Sequence, residues 1–221
     1  MLKTLFAGAL VSAIAASPAP RAESTRAEIV VLGDSLTSGH GIGRSQAFPA
    51  ILQQRLDAAG YDYSVVNAGV SGDTSARALR RFERAFGGAA SDAASGPGAE
   101  GDDDIRILIV ELGVNDGLRG VPVAQIKANL GRIIEIAQAH GTSVLLCAME
   151  ALPIYGWDYT VAFHNAYREL AERYKVTLVP FVLMNVIGDP RLMQADRVHP
   201  NADGARAMAD TLWPYLQHVI Q

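Results

Sequence analysis

Short β-branched runs alternate with longer segments of helical period along this chain, and that alternation limits its fold more than any other feature. Each run is five or six residues long and apolar almost throughout, as expected for strands buried on both faces of a parallel sheet. The runs cover residues 28–32, 63–67, 105–110, 143–147 and 176–180. The pattern therefore predicts five strands of one parallel sheet.

Between the runs, apolar residues recur at three- and four-residue steps, which indicates amphipathic helices. These segments are 48–59, 78–86, 126–137 and 162–174, and a last helix is expected over about 202–219. Strands that alternate with helices predict one three-layer α/β domain. Ligands of such sheets bind beyond the carboxyl ends of the strands, so the residues that follow each strand are the candidates for a functional site.

The first 22 residues differ from the rest of the chain. A basic start at Lys3 precedes a charge-free apolar run, 5–16, of 12 residues. This pattern predicts a secretory signal peptide over 1–22 and a mature single domain over 23–221. The run is shorter than the ~20 residues of a membrane-spanning helix, so a retained anchor is the weaker interpretation. We expect a periplasmic or secreted protein with no stable membrane anchor after signal removal.

Charge and cysteine content exclude several classes of partner and cofactor. Without residues 1–22 the chain loses Lys3 and Arg21 and no acid, which leaves 17 basic against 23 acidic residues and a formal net charge of −6. No basic block is present, so we expect no nucleic-acid partner. The single cysteine, Cys147, excludes an intrachain disulfide and a cysteine-based metal centre.

The segment 87–104 interrupts the alternation of strands and helices. It consists of glycine, alanine, serine, proline and acidic residues, without a large apolar side chain. This composition predicts a mobile surface insertion within the single domain. A lid is the alternative, although lids usually carry an apolar residue with which to close.

Three strand ends are followed by turns rich in glycine and small polar residues, at 33–37, 67–74 and 113–117. These turns should meet at one edge of the sheet and form a pocket. Ser35 lies where a strand turns into a helix, which exposes its hydroxyl and makes it a candidate nucleophile. The alternative is that Ser35 only caps the next helix.

His199 is the histidine best placed to act as a base, because Asp196 precedes it by three residues. The carboxylate can accept a hydrogen bond from Nδ1 and leave Nε2 free to take a proton. We then expect Nε2 to lie about 2.6–3.2 Å from the Ser35 hydroxyl. The alternative is a helix start with Asp196 and Asn201 as capping groups. The other histidines are expected at the surface or at helix ends: His40, His140, His164 and His218.

Gly72 and Asn115 are candidate donors for a negatively charged oxygen that forms during a reaction. Gly72 offers a backbone N–H that no side chain obstructs, and Asn115 offers a side-chain amide. Each such donor contributes about 3–4 kcal/mol to catalysis in hydrolases. Ordinary turn chemistry is the alternative for either residue.

Taken together, these four segments resemble the SGNH (GDSL-type) hydrolase superfamily. The matching residues are Ser35 in Gly-Asp-Ser-Leu, Gly72 in Ser-Gly-Asp-Thr, Asn115 in Gly-Val-Asn-Asp and His199 in Asp-Arg-Val-His-Pro. Asp196 matches the family's third triad member. By this resemblance the N–H groups of Ser35 and Gly72 and the Asn115 amide form the oxyanion hole.

The phrases around these motifs are most similar to the bacterial periplasmic thioesterase I, arylesterase and lysophospholipase branch. That resemblance covers about residues 28–219 and implies a flavodoxin-like sheet of five parallel strands, no metal and no cofactor. It also implies hydrolysis of small-molecule acyl esters and thioesters through an acyl-enzyme on Ser35. Two departures are Val114, where close relatives often carry glycine or threonine, and the longer insertion at 87–104.

The resemblance also places the loop 117–121 and the segment 152–157 beside the acyl chain. The implied substrate-binding residues are Leu118, Leu152, Pro153, Ile154 and Tyr155. The alternative is that Leu152, Ile154 and Trp157 simply pack the domain. A carbohydrate O-acetylesterase on the same fold is the second hypothesis for the activity, and a catalytically silent binding module is the third.

Overall fold

The computed structural model describes residues 26–86 and 105–220. The predicted signal peptide, 1–22, and the predicted insertion, 87–104, lie outside the described residues. Both stay predictions, as does the division of the chain into a signal and one domain.

The sheet has five parallel strands in the order β2-β1-β3-β4-β5. Each predicted run forms a strand, with bounds that differ by at most two residues. The strands are β1 (Ala27–Gly33), β2 (Tyr63–Gly69), β3 (Ile105–Glu111), β4 (Ser143–Cys147) and β5 (Thr177–Val179). The residues of β1, β3 and β4 are mostly buried, because helices cover the central strands. The predicted α/β fold is therefore confirmed.

The predicted helices are present, and two short helices accompany them at strand ends. The helices are α1 (Ser35–Ser38), α2 (Phe48–Ala59), α3 (Ser75–Phe86), α4 (Val114–Leu118), α5 (Val123–Ala139), α6 (Trp157–Tyr174) and α7 (Ala202–Ile220). Helix α5 packs against α3 and α6, and α2 packs against α7. The periodicity missed α1 and α4 because helices of four and five residues are too short to show an apolar stripe.

Large apolar side chains of α2 and α6 fill the core against the central strands. Phe48 and Leu52 of α2 and Phe163 and Tyr167 of α6 have no exposed surface. Burial of such a side chain stabilises the fold by about 1.5–3 kcal/mol. None of the described helices is long and apolar enough to cross a membrane.

The turn from β3 into α4 depends on a glycine. Gly113 has a φ of 123°, and a Cβ at this position would lie 1.8 Å from the hydroxyl oxygen of Tyr167. The same hydroxyl donates a hydrogen bond to the carbonyl of Leu112 at 2.9 Å. A residue with a side chain at 113 would therefore displace Tyr167 or the start of α4.

Candidate active site

Ser35 is the first residue of α1, directly after β1. The side chain of Asp34 caps this helix, because its Oδ1 accepts a hydrogen bond from the N–H of Leu36 at 3.0 Å. The alternative that Ser35 is the cap is therefore wrong. Its hydroxyl instead faces the segment that precedes α7.

His199 lies within hydrogen-bond distance of both predicted partners. Its Nε2 is 3.1 Å from the Oγ of Ser35, inside the expected interval, and its Nδ1 is 2.7 Å from the Oδ2 of Asp196. The other Asp196 oxygen accepts from the backbone N–H groups of Val198 and His199, at 2.9 and 3.0 Å. The hydrogen bonds from His199 and Val198 hold the pKa of Asp196 well below its usual range. Asp196 is therefore an ionised partner for the imidazole.

The capping alternative for this segment applies to Asn201 and not to Asp196. The Oδ1 of Asn201 accepts from the N–H groups of Asp203 and Gly204, both at 3.0 Å, at the start of α7. The Asp196 carboxylate has no such role, since both of its oxygens bind the loop that carries His199. Asn201 therefore caps the start of α7, and Asp196 takes no part in that cap.

The predicted oxyanion donors lie at the ends of three neighbouring strands, β2, β1 and β3. Gly72 has a φ of 76°, and a Cβ there would meet no atom within 4 Å, so its surroundings are open. Among the described residues, no group accepts from the backbone N–H of Ser35 or Gly72. Asn115 lies in α4, where its Nδ2 donates to the Oδ2 of Asp34 at 3.0 Å.

Asp116, next to Asn115, joins α4 to the start of α3 and was missed by the sequence analysis. Its buried carboxylate accepts from the backbone N–H and the hydroxyl of Ser75, at 2.8 and 2.7 Å. Asn129 of α5 donates to the same hydroxyl at 3.0 Å. Burial raises the pKa of Asp116, and the hydrogen bonds from Ser75 partly offset this effect. The network ties the segment of Asn115 to the segment that follows Gly72.

Two fully buried carboxyl groups, Asp34 and Glu111, lie beneath the candidate site and were also missed as a pair. Thr37 donates from its hydroxyl to the Oε2 of Glu111 at 2.6 Å. Burial raises the pKa of Asp34 from 3.8 to about 6, and it raises the pKa of Glu111 well above the ordinary value of 4.5. An acidic residue at the end of an apolar strand gave no local sign that it would be buried.

His40 is exposed, as predicted, but its ring also contacts the ring of His199. The two ring centroids are 4.6 Å apart, with an angle of 45° between the planes. Gln194 holds both segments, since its Nε2 donates to the carbonyls of His40 and Pro200 at 2.6 and 2.8 Å. The sequence contained no signal for this contact, because the two histidines are far apart in the chain.

The residues predicted to bind substrate form an exposed apolar group around the turn Pro153–Tyr155. Leu152 is 56% exposed, Ile154 60% and Trp157 72%, so the alternative that these three residues pack the domain is wrong. Tyr155 donates from its hydroxyl to the carbonyl of Leu118 at 3.1 Å, which brings the two predicted segments together. Exposed apolar side chains in such a group are typical of a binding surface.

The described residues contain no group of three or more histidine, cysteine and acidic side chains that could hold a metal ion. Cys147 is completely buried in β4, and burial raises the pKa of its thiol well above the ordinary value. This thiol is therefore not a candidate nucleophile.

A serine that is hydrogen-bonded to a histidine and an aspartate, at the carboxyl edge of a parallel sheet, defines a serine hydrolase of the α/β class. Residues 31–207 match the model of the GDSL-like Lipase/Acylhydrolase family. The chain belongs to that family, so the predicted family is confirmed.

Several relatives are similar over most of their length. Esterase TesA of Pseudomonas aeruginosa is 38% identical over 192 residues, which cover 87% of this chain and 89% of the relative. Thioesterase 1/protease 1/lysophospholipase L1 of Escherichia coli K12 is 34% identical over 192 residues, or 87% and 84% of the two chains. The crystal structure of TesA matches with a TM-score of 0.76 and 38% identity, over 87% of this chain and 99% of that chain.

Proposed function

We propose that the chain is a serine esterase and thioesterase, which hydrolyses carboxylic acyl esters and acyl thioesters through an acyl-enzyme on Ser35. The hydrogen-bonded series Ser35–His199–Asp196 is the observation that carries this proposal. The names esterase, thioesterase and lysophospholipase among the relatives support the same class of reaction.

In the first half of the reaction, the Ser35 oxygen attacks the acyl carbonyl carbon and its proton passes to Nε2 of His199. Asp196 accepts from Nδ1–H and stabilises the imidazolium. The same proton then goes to the leaving alcohol or thiol, and the acyl group stays on Ser35. In the second half, His199 takes a proton from water while the water oxygen attacks the acyl-enzyme carbonyl carbon. The bond between the acyl group and the Ser35 oxygen then breaks, His199 returns the proton to that oxygen, and the carboxylic acid leaves.

The negative charge on the carbonyl oxygen needs hydrogen-bond donors in both halves. We assign this role to the N–H groups of Ser35 and Gly72 and to the Asn115 amide. The two N–H groups have no acceptor among the described residues, which leaves them available to substrate. Loss of one such donor typically slows kcat by about 10²–10³-fold.

The exposed apolar group favours an acyl chain over a sugar as the substrate's main feature. Leu118, Leu152, Pro153, Ile154 and Tyr155 would contact the chain, and each CH₂ buried there contributes about 0.8 kcal/mol to binding. A carbohydrate O-acetylesterase would instead need polar groups that recognise hydroxyls. The exposed side chains of this surface therefore support acyl esters as substrates more than acetylated sugars.

We further propose that the enzyme is exported to the periplasm or secreted, on the basis of the basic start and apolar run within residues 1–22. The expected partner is a small-molecule ester or thioester, without nucleic acid. Fractionation of cells that express the full chain, with N-terminal sequencing of the product, tests this proposal. A cytoplasmic protein that retains residues 1–22 would contradict it.

The catalytic proposal is tested with p-nitrophenyl esters and acyl-CoA thioesters of several chain lengths. Ser35→Ala should lower kcat by at least about 10³-fold and abolish labelling by a fluorophosphonate probe. The matched control is Ser143→Ala, at an exposed serine at the start of β4. This variant should keep the parental kcat, and the fluorophosphonate probe should still label it. Full activity in Ser35→Ala would overturn the proposal, and much faster turnover of acetylated sugars would favour the second hypothesis.

A further inference from the structure

We propose that Asp34 is a positioning residue, whose buried carboxylate orients the Asn115 amide toward the substrate oxygen. The inference rests on the proposed function, because it assigns a partner to one of the oxyanion donors. Asp34 has no exposed surface, and its Oδ2 accepts from the Nδ2 of Asn115 at 3.0 Å. Asp34 would therefore act through Asn115 and not on the substrate.

An amide nitrogen has two N–H groups, and the amide oxygen is only an acceptor. One Nδ2–H of Asn115 binds Asp34, so the second is the group that can reach a substrate oxygen. A carboxylate cannot donate to the amide oxygen, which means that Asp34 also selects which end of the amide faces it. Without this contact the amide could turn and present its oxygen to the developing negative charge.

The hydrogen bonds indicate where the negative charge of the buried pair resides. Both oxygens of Asp34 accept from N–H donors, Leu36 and Asn115. The Oε1 of Glu111 has no partner among the described residues, so a proton held by the pair belongs on Glu111. An ionised Asp34 makes the bond to Asn115 charge-assisted and stronger than a neutral one.

Other charged groups near Asp34 act in opposite directions. Burial, together with the nearby Asp73, raises the pKa of Asp34, whereas the N–H of Leu36, the Asn115 amide and His199 lower it. The resulting pKa of about 6 keeps the carboxylate ionised at neutral pH. Burial and the nearby Asp34 raise the pKa of Glu111 well above its ordinary value, which favours Glu111 as the member of the pair that carries a proton.

Asp34→Asn preserves the shape of the side chain but leaves it with one acceptor oxygen for two donors. Asp34→Ser can still cap α1, since serine is a good helix cap, but it is too short to reach Asn115. A loss of kcat in Asp34→Ser, which keeps the cap of α1, is therefore due to the lost contact with the Asn115 amide. If one variant does not fold, the other still tests the proposal.

The experiment measures kcat and KM for p-nitrophenyl butyrate with Asp34→Asn, Asp34→Ser, Asn115→Ala and the double variant Asp34→Asn/Asn115→Ala. Each Asp34 variant should lower kcat by about 10- to 100-fold, with KM within about 3-fold of the parent value. The double variant should match Asn115→Ala, because residues that act through one contact are not additive. Thr142→Ala removes a buried hydroxyl at the amino end of β4, at the opposite end of the strands from the candidate site. This variant should have a lower thermal stability and the parental kcat.

A folded Asp34 variant with the parental kcat would overturn the inference. A double variant whose fold-loss in kcat equals the product of the two single losses would also overturn it. Ser35→Ala is measured in the same series. If Ser35→Ala is inactive while Asp34 variants keep their kcat, only the positioning role fails. If Ser35→Ala is active, the proposed function itself fails.

Discussion

At the scale of single residues, the His40 ring lies against the imidazole of His199, with ring centroids 4.6 Å apart. The contact between the two rings should hold His199 in the orientation that binds Ser35. His40→Ala should lower kcat/KM by about 2- to 10-fold, the equivalent of about 0.5–1.5 kcal/mol for an aromatic contact. His40→Phe keeps a ring and should recover most of the loss, and the exposed His218→Ala serves as the control. Equal losses in His40→Ala and His40→Phe would contradict this explanation.

Glu111 should make the stability of the protein depend on pH. Its pKa is raised in the folded state, so the folded protein keeps a proton that the unfolded chain releases above about pH 4.5, and stability falls as pH rises through this interval. Gln resembles the protonated side chain but does not titrate. We expect urea unfolding to show that Glu111→Gln gains stability relative to the parent as pH rises above about 4.5. A difference that does not change with pH would contradict a protonated Glu111.

At the scale of structural elements, the turn between β3 and α4 places Asn115 and depends on Gly113. Gly113→Ala should destabilise the protein by more than about 1 kcal/mol, because of its positive φ and the clash with Tyr167. Tyr167→Phe removes the clashing oxygen and should recover part of that loss in the double variant. Gly60→Ala, which has a positive φ but no atom within 4 Å, is the control for backbone strain alone. Denaturant unfolding gives the free energy of unfolding of all four variants. If the changes in this free energy for Gly113→Ala and Tyr167→Phe simply add in the double variant, the clash with Tyr167 is not the cause of the loss.

The turn Pro153–Tyr155 should determine the preference for acyl chain length. Ile154→Ser removes apolar surface from a residue that is 60% exposed, so folding should be little affected. We expect kcat/KM to fall more for a dodecanoyl than for a butyryl ester, since the longer chain loses more apolar contact. Met184→Ser, at an exposed apolar residue outside this group, provides the matched control. An equal loss for both esters would exclude Ile154 from the acyl site.

At the scale of the whole molecule, local pattern predicted the sheet and the central residues of the candidate site. Apolar runs identify strands because both faces of this sheet are covered. Ser35 and His199 were found because each lies in a short motif with its own chemistry. The expected distance between them followed from the hydrogen bond that a general base makes to the group it deprotonates.

The supporting contacts could not be predicted, because each joins segments that are distant in sequence. Asp34 with Asn115 and Ser75 with Asp116 are side-chain pairs across different strand ends, and neither leaves a periodic signal. Asp34 lies beside Ser35 in the motif, yet its burial and its charge depend on the complete fold. The sequence therefore indicates which groups react, whereas the fold shows what holds them.

The acyl-enzyme on Ser35 can be observed by mass spectrometry of enzyme quenched in acid during turnover of p-nitrophenyl butyrate. We expect one butyryl group on the peptide that contains Ser35, and none in Ser35→Ala. A butyryl group on another residue, or product formation by Ser35→Ala at the parental rate, would contradict it.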